Sequence, residues 1–245
     1  MGSSFTIGRF AGVDLKIHVT FPLLLLWYGF QYYQFGGFPA AAKIVILVLA
    51  VFFCVVLHEF GHVLMAQRFG IGTRDVVLLP IGGVARLEYF PTKPRQELLI
   101  ALAGPAVTLA IILVLYVVVK LLDGIDVPLT SFQVGQGFLF NLLVVNVYIL
   151  LFNLIPAFPM DGGRVLRAAL ASKMGLVRGT RIAATVGKAL AVLGGVYAVY
   201  PALSGRPISW ILLLIAAFVF MAASGETAAV EGRARFDAGH RPDGP

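Results

Sequence analysis

The sequence predicts an all-α polytopic membrane protein of about six transmembrane helices, with a short β-hairpin or sheet insertion between helices 2 and 3. Composition is the first observation behind this class. Of the 245 residues, 59% are hydrophobic and 13% are charged, whereas an average soluble domain has roughly 25% charged residues. The mean hydropathy is +0.91. The second observation is that the apolar residues are gathered in long runs.

Six apolar runs are long enough to cross a bilayer as helices, which takes about 20 residues each. They cover residues 18–35, 42–69, 97–121, 132–156, 182–203 and 207–225. A spanning chain must satisfy its backbone hydrogen bonds within helices or a closed barrel, so the runs predict one six-helix domain over 18–225. An N-terminal segment, 1–17, precedes this domain, and a polar tail, 226–245, follows it.

The net charge of +7 is distributed unevenly between the predicted loops. Counted together with the adjoining ends of the runs, the second and fourth loops carry five and six basic residues, whereas the first, third and fifth carry one each. Because basic residues are retained on the cytoplasmic side, both termini and these two loops are predicted to be cytoplasmic. We therefore expect a multi-pass protein of the cell membrane whose surroundings are the lipid bilayer, and we expect no nucleic acid as a partner.

An H-E-x-x-H motif occupies residues 58–62, inside the second run. Two histidines four residues apart on a helix differ by about 40° in rotation and about 6 Å in rise, so His58 and His62 can reach one metal ion. Glu59 then lies beside the ion, where a carboxylate can take a proton from water. A charged group within a span costs ~2.5–3.5 kcal/mol on insertion scales, which favours function over coincidence.

A catalytic zinc site requires a third protein ligand and one open position. His18 and His240 are the other histidines, but they lie before the first run and in the polar tail. Asp161 is the better candidate, because the fourth run is predicted to end on the cytoplasmic side, at the same depth as the histidine pair.

The segment that leads to Asp161 is rich in proline. Pro156 and Pro159 lack an amide donor and are predicted to break the fourth helix. Irregular backbone at membrane depth is tolerated where it is buried in protein or lines a wet cavity. The alternative is a turn that leaves the membrane, with Asp161 as the N-cap of a helix over 162–172.

At this point the chain resembles a known family, the site-2 proteases, which are intramembrane zinc metalloproteases. The resemblance is carried by H-E-F-G-H at 58–62 and N-L-I-P-A-F-P-M-D-G-G at 153–163, with Gly82-Gly83 and Ala103-Gly104-Pro105 in matching order. It implies one zinc ion held by His58, His62 and Asp161, with Glu59 as the general base. It also implies that Asn153 binds substrate or stabilises the tetrahedral intermediate, and that single-span, membrane-tethered proteins are the substrates.

Many members of that family carry a PDZ-like domain between the two motifs, and others carry paired CBS domains after the last span. Here the third and fourth runs occupy much of the interval between the motifs, and a short polar segment follows the last run. The expectation is therefore a minimal member, or a piece of a longer chain.

Two short strands, over 76–79 and 84–89, are predicted on either side of Pro80-Ile81-Gly82-Gly83. The alternative is a hydrophobic loop at the membrane interface. An exposed strand edge near the zinc would pair with an extended substrate through main-chain hydrogen bonds. Gly82 and Gly83 are therefore predicted to contribute to substrate binding.

Two other classes of function use the same ligands. A divalent-metal transporter is the first, but transporters are commonly built from repeated halves, and the first three and last three runs share no motif. A catalytically silent membrane scaffold with a structural zinc is the second. An intact Glu59 disfavours this alternative.

Overall fold

The computed structural model describes residues 4–80, 82–89, 91, 93–123 and 137–239. Its regular elements, in chain order, are β1 (Ser4–Phe10), β2 (Val13–His18), α1 (Thr20–Arg68), β3 (Thr73–Leu79), β4 (Gly82–Leu87), α2 (Pro94–Asp123), α3 (Phe138–Asn153), α4 (Asp161–Met174), α5 (Leu176–Val199) and α6 (Trp210–Gly239). Residues 132–136 of the fourth predicted run and His240 lie outside the described residues.

Four of the described helices are long and apolar enough to cross a membrane, and together with the small sheet they confirm the predicted fold class. They are Thr20–Arg68, Pro94–Leu122, Leu176–Ser204 and Trp210–Phe236. The difference from the six predicted runs has two causes. The first two runs form the single element α1, which is interrupted by non-helical backbone at Gly36 and Gly37. The fourth run is helical over only 16 described residues, because α3 ends at Asn153, before the two prolines.

The chain divides into two units, and the first contains the sheet, α1, most of α2 and nearly all of α3. The strand order is β1-β2-β3-β4. β1 and β2 are antiparallel, β2 and β3 are parallel, and β3 and β4 are antiparallel. Parallel neighbours need a long crossover connection, and α1 provides it between β2 and β3.

The core of the first unit lies between the sheet and the last turns of α1. Alternate residues of β2 and β3 face this core, as expected for strands with one buried face. It contains Val13, Leu15, Val76 and Leu78 from the strands and Val63 from α1. The hairpin of β3 and β4 was predicted from the sequence. No strand was predicted in the N-terminal segment, where β1 and most of β2 lie. Gly82 and Gly83 belong to β4, which corrects their predicted place in the turn.

The second unit contains the start of α2 together with α4, α5 and α6. Small residues line the contact between α5 and α6, where Ala183, Ala184 and Ala223 pack with Phe158. Arg167 of α4 is buried beside Glu97 of α2, to which its Nε donates at 2.6 Å, and it also forms an ion pair with Glu226 of α6. A charge in this position is tolerated because it is paired on two sides.

Candidate metal centre

His58 and His62 lie one turn apart on α1, and both are buried, with 4% and 6% of their surfaces exposed. Their Nε2 atoms are 3.2 Å apart. Two nitrogens that each lie about 2.0–2.1 Å from a tetrahedral zinc ion are separated by about 3.3 Å. The pair is therefore already arranged for two imidazole ligands that share one ion, which fits the donor chemistry of zinc.

Thr108 of α2 holds the ring of His58 from the other side. Its Oγ1 is 2.8 Å from His58 Nδ1, and Thr108 is 1% exposed. When Nδ1 donates to this hydroxyl, the lone pair of the imidazole is left on Nε2, the atom that faces His62. Sequence reasoning missed Thr108. Its only signal was a hydroxyl inside an apolar run, and a threonine there commonly bonds its own helix backbone.

Two glycines let α1 and α2 approach closely at this level. A Cβ atom at Gly61 would lie 2.7 Å from the carbonyl oxygen of Ala103. A Cβ atom at Gly104 would lie 2.2 Å from His62 Nε2 and 2.8 Å from His58 Nε2. The absent side chain of Gly104 therefore leaves the space next to both ligand nitrogens free. Gly61 likewise allows the backbone of α2 to pack closely against α1.

Glu59 lies between the two faces of α1, one of which meets the sheet and the other α2. Its carboxylate is directed to β4, where Glu59 Oε2 accepts a hydrogen bond of 3.2 Å from the Ala85 amide. Gly83 of the same strand leaves room for the carboxylate, since a Cβ atom there would lie 2.5 Å from Glu59 Cγ. Sequence reasoning did not identify Ala85.

Asp161 is the first residue of α4, in the second unit, and it is buried. The N-cap is Met160, which makes no side-chain cap bond, so the alternative that made Asp161 the N-cap differs from the structure by one residue. The positive end of the helix dipole favours a carboxylate in the first turn. Gly162 and Gly163 are needed because Cβ atoms there would lie 2.4 Å from Ile155 O and 2.6 Å from the carbonyl carbon of Ala157.

The residues of the predicted ligand group are all buried: His58 and His62 belong to the first unit, and Asp161 belongs to the second. His18 is not in this group, and its Nδ1 is instead 2.7 Å from the Thr20 hydroxyl. Asn153 is the last residue of α3 and is half-buried.

An ion cluster stabilises the strands that carry the Glu59 contact. Asp75 of β3 is buried, and it accepts hydrogen bonds from Arg86 Nε of β4 at 2.5 Å and from Lys16 Nζ of β2 at 2.7 Å. The Arg86 guanidinium, assisted by Lys16, lowers the pKa of the Asp75 carboxyl below its ordinary value, although burial acts in the opposite direction. Asp75 thus connects three of the four strands.

Comparison with known proteins finds a matching family model and several similar chains. A model described as peptidase family M50 matches residues 46–194. A zinc metalloprotease of Methanocaldococcus jannaschii is 37% identical over 232 residues, which cover 94% of this chain and 62% of that protein. A putative zinc metalloprotease of Synechocystis is 35% identical over 176 residues, which cover 69% of this chain and 44% of that protein. The chain thus spans less than two thirds of the length of these relatives.

A solved structure shares the fold along most of the chain. The site-2 protease from Methanocaldococcus jannaschii matches with a TM-score of 0.62 and 36% sequence identity. The match covers 91% of this chain and 95% of that one.

Proposed function

Because this chain belongs to peptidase family M50, the family of the site-2 proteases, we propose that it is an intramembrane zinc metalloprotease. In this role it hydrolyses peptide bonds within or near the transmembrane segments of membrane-tethered, single-span proteins. The observation that carries the proposal is the pair of buried histidines whose Nε2 atoms face each other at 3.2 Å.

We assign one zinc ion to His58, His62 and Asp161. The assignment is supported by the ligand chemistry of two imidazoles and one carboxylate, which leaves one of four positions open for substrate or water. It is supported further by the Thr108 bond to His58 Nδ1, since zinc-ligating histidines are usually held at their second nitrogen.

The reaction is a hydrolysis in which Glu59 moves one proton. Zinc, when bound, supplies a Lewis acid that polarises the scissile carbonyl and makes water more acidic. Glu59 accepts a proton as the water oxygen bonds to the carbonyl carbon, and it donates that proton to the amine nitrogen as the C–N bond breaks. Its carboxylate therefore ends the cycle in the state in which it began.

Substrate is proposed to bind in extended form at β4. A transmembrane helix hides its own carbonyls, so it must unwind before water can attack, and the exposed edge of β4 offers replacement hydrogen bonds. Gly82 and Gly83, at the start of this strand, and Asn153, at the end of α3, are assigned to substrate binding. The distribution of basic residues supports a cytoplasmic location for both termini and for the site.

The experiment is cleavage of single-span peptides in liposomes by the wild-type protein and by Glu59→Gln, with and without a zinc chelator. The wild type is expected to cleave in a chelator-sensitive way, and Glu59→Gln is expected to retain zinc while losing cleavage. Cleavage that survives Glu59→Gln would disprove the mechanism. A chelator-sensitive ion flux that Glu59→Gln leaves intact would identify a transporter, and stoichiometric zinc without cleavage or flux would identify a scaffold.

A further inference from the structure

The amide of Ala85 lies on the outer edge of the sheet. β4 is the last strand in the order β1-β2-β3-β4, so one of its edges is paired with no other strand among the described residues. Successive N–H groups of a strand point to opposite edges. Since the Ala85 amide donates to Glu59 Oε2 at 3.2 Å, it is one of the donors on that outer edge.

Gly83, two residues earlier, borders the same carboxylate. A Cβ atom there would lie 2.5 Å from Glu59 Cγ and 3.0 Å from Glu59 Oε1. The shorter distance is below any that real side chains adopt, so a group would have to move. The end of the Glu59 side chain would move in preference to the backbone, because it is the more flexible part.

The strand cannot follow the carboxylate freely, because β4 is anchored at Ala85 and at the residue that follows it. Ala85 packs into the core of the first unit together with Val56 and Phe60 of α1, which are neighbours of Glu59 on that helix. The next residue, Arg86, is bonded to Asp75 of β3. The position of the Ala85 amide relative to α1 is therefore determined by packing and by an ion pair, not by Glu59 itself.

We propose that β4 positions the catalytic base: the Ala85 amide orients the Glu59 carboxylate through Oε2, and Gly83 leaves the space that this orientation requires. Oε1 is then the oxygen that accepts the proton from water. This inference rests on the proposed function, which makes Glu59 the base. Ala85 and Gly83 are positioning residues in this assignment, since they act through Glu59.

Two roles are assigned to β4, the binding of substrate and the positioning of Glu59, and they predict different kinetic effects. If β4 only paired with substrate, a change at Gly83 or at the Ala85 amide would raise KM and leave kcat intact. If it positions Glu59, the same changes lower kcat, because the chemical step loses an oriented base.

The sharpest test replaces the Ala85 amide by an ester, so that an oxygen takes the place of the N–H and the side chain is unchanged. The ester is introduced by nonsense suppression into the full chain in liposomes. We expect kcat for a single-span peptide to fall about 10- to 100-fold, the range for one hydrogen bond to a charged group, with KM unchanged. The matched control is an ester at Val84, whose amide points to the opposite edge of β4, and it is expected to retain kcat.

Gly83→Ala is the second variant, and Val84→Ile is its control, since it adds one methyl group to the exposed side chain of the neighbouring residue. Gly83→Ala is expected to lower kcat, in addition to any change in KM from the substrate-binding role assigned to Gly83, and Val84→Ile is expected to leave kcat unchanged. Zinc content is measured in every variant and is expected to equal that of the wild type.

An infrared readout tests the Ala85 contact without substrate. The carboxylate stretch of Glu59 is isolated as the difference between spectra of the wild-type protein and Glu59→Gln. Loss of the Ala85 donor is expected to shift this band, and the Val84 ester is expected to leave it in place. Absence of cleavage by the wild type would disprove the proposed function alone, since the infrared result is independent of it. An unshifted band in the Ala85 ester, or a raised KM with full kcat, would overturn the positioning role.

Discussion

Replacement of Thr108 by valine is predicted to weaken zinc binding without unfolding the protein. Valine has nearly the volume of threonine, so the packing of α2 against α1 is preserved while the hydroxyl is lost. His58 Nδ1, which lies 2.8 Å from that hydroxyl, then has a buried N–H from which the acceptor has been removed. Water cannot easily replace the acceptor, because Thr108 is 1% exposed.

The magnitude follows from the cost of the lost acceptor. Leaving a buried donor unsatisfied costs about 1–3 kcal/mol, and each 1.4 kcal/mol changes a dissociation constant tenfold. The Kd for zinc is therefore expected to rise by about 5- to 150-fold, which includes the roughly 10- to 100-fold range found for such supporting residues. The bond contributes this much because it selects the imidazole tautomer with its lone pair on Nε2.

The assay is competition for zinc between the detergent-solubilised protein and a chromophoric chelator. Thr108→Ser is the matched control, since it retains the hydroxyl and removes only a methyl group, and it should bind zinc nearly as tightly as the wild type. Cleavage by Thr108→Val should recover at high zinc concentration. If Thr108→Val binds zinc as tightly as the wild type, Thr108 does not support the ligand and the reasoning fails.

Two further predictions concern packing and pH. Gly104→Ala is expected to abolish stoichiometric zinc binding, because its Cβ would lie 2.2 Å from His62 Nε2. Zinc content is measured by elemental analysis, and full zinc content would contradict this prediction. Ala106→Ser on the same helix serves as the control. Asp75 stabilises the fold above its ordinary pKa of about 4, and this contribution is lost as the pH falls through the lowered pKa of the folded state. Asp75→Asn should therefore reduce the free energy of unfolding at pH 7 and flatten its decline below pH 4, measured by denaturant unfolding in detergent. An unchanged pH profile in Asp75→Asn would refute the role of the cluster with Lys16 and Arg86.

Much of the fold was predictable because its signals are local. Apolar runs predicted the helices, and two short segments on either side of Pro80-Ile81-Gly82-Gly83 predicted the hairpin of β3 and β4. Pro156 and Pro159 predicted the end of α3, since a proline removes a helical donor wherever it stands. Family membership was also predictable, because the two motifs at 58–62 and 153–163 are long and specific.

The N-terminal strands were not predictable in the same way. β1 and β2 lie almost wholly within residues 1–17, which were predicted as an N-terminal segment with no strand assigned to it. Their order depends on the parallel pairing of β2 with β3, in which Leu15 is opposite Val76. The whole of α1 separates these partners, so no local pattern records the pairing.

By itself, the sequence predicted the proposed ligands and the helix that carries the histidine pair, and it determined the family. The spacing of His58 and His62 is sufficient to predict the histidine pair, since helical geometry directs side chains four residues apart to the same face. Only the tertiary structure decided what surrounds them: the Thr108 hydroxyl on His58, the space left by Gly104, and the Ala85 amide on Glu59. These contacts join α1 to α2 and to β4, and such contacts depend on the packing of separate elements, which no residue spacing encodes.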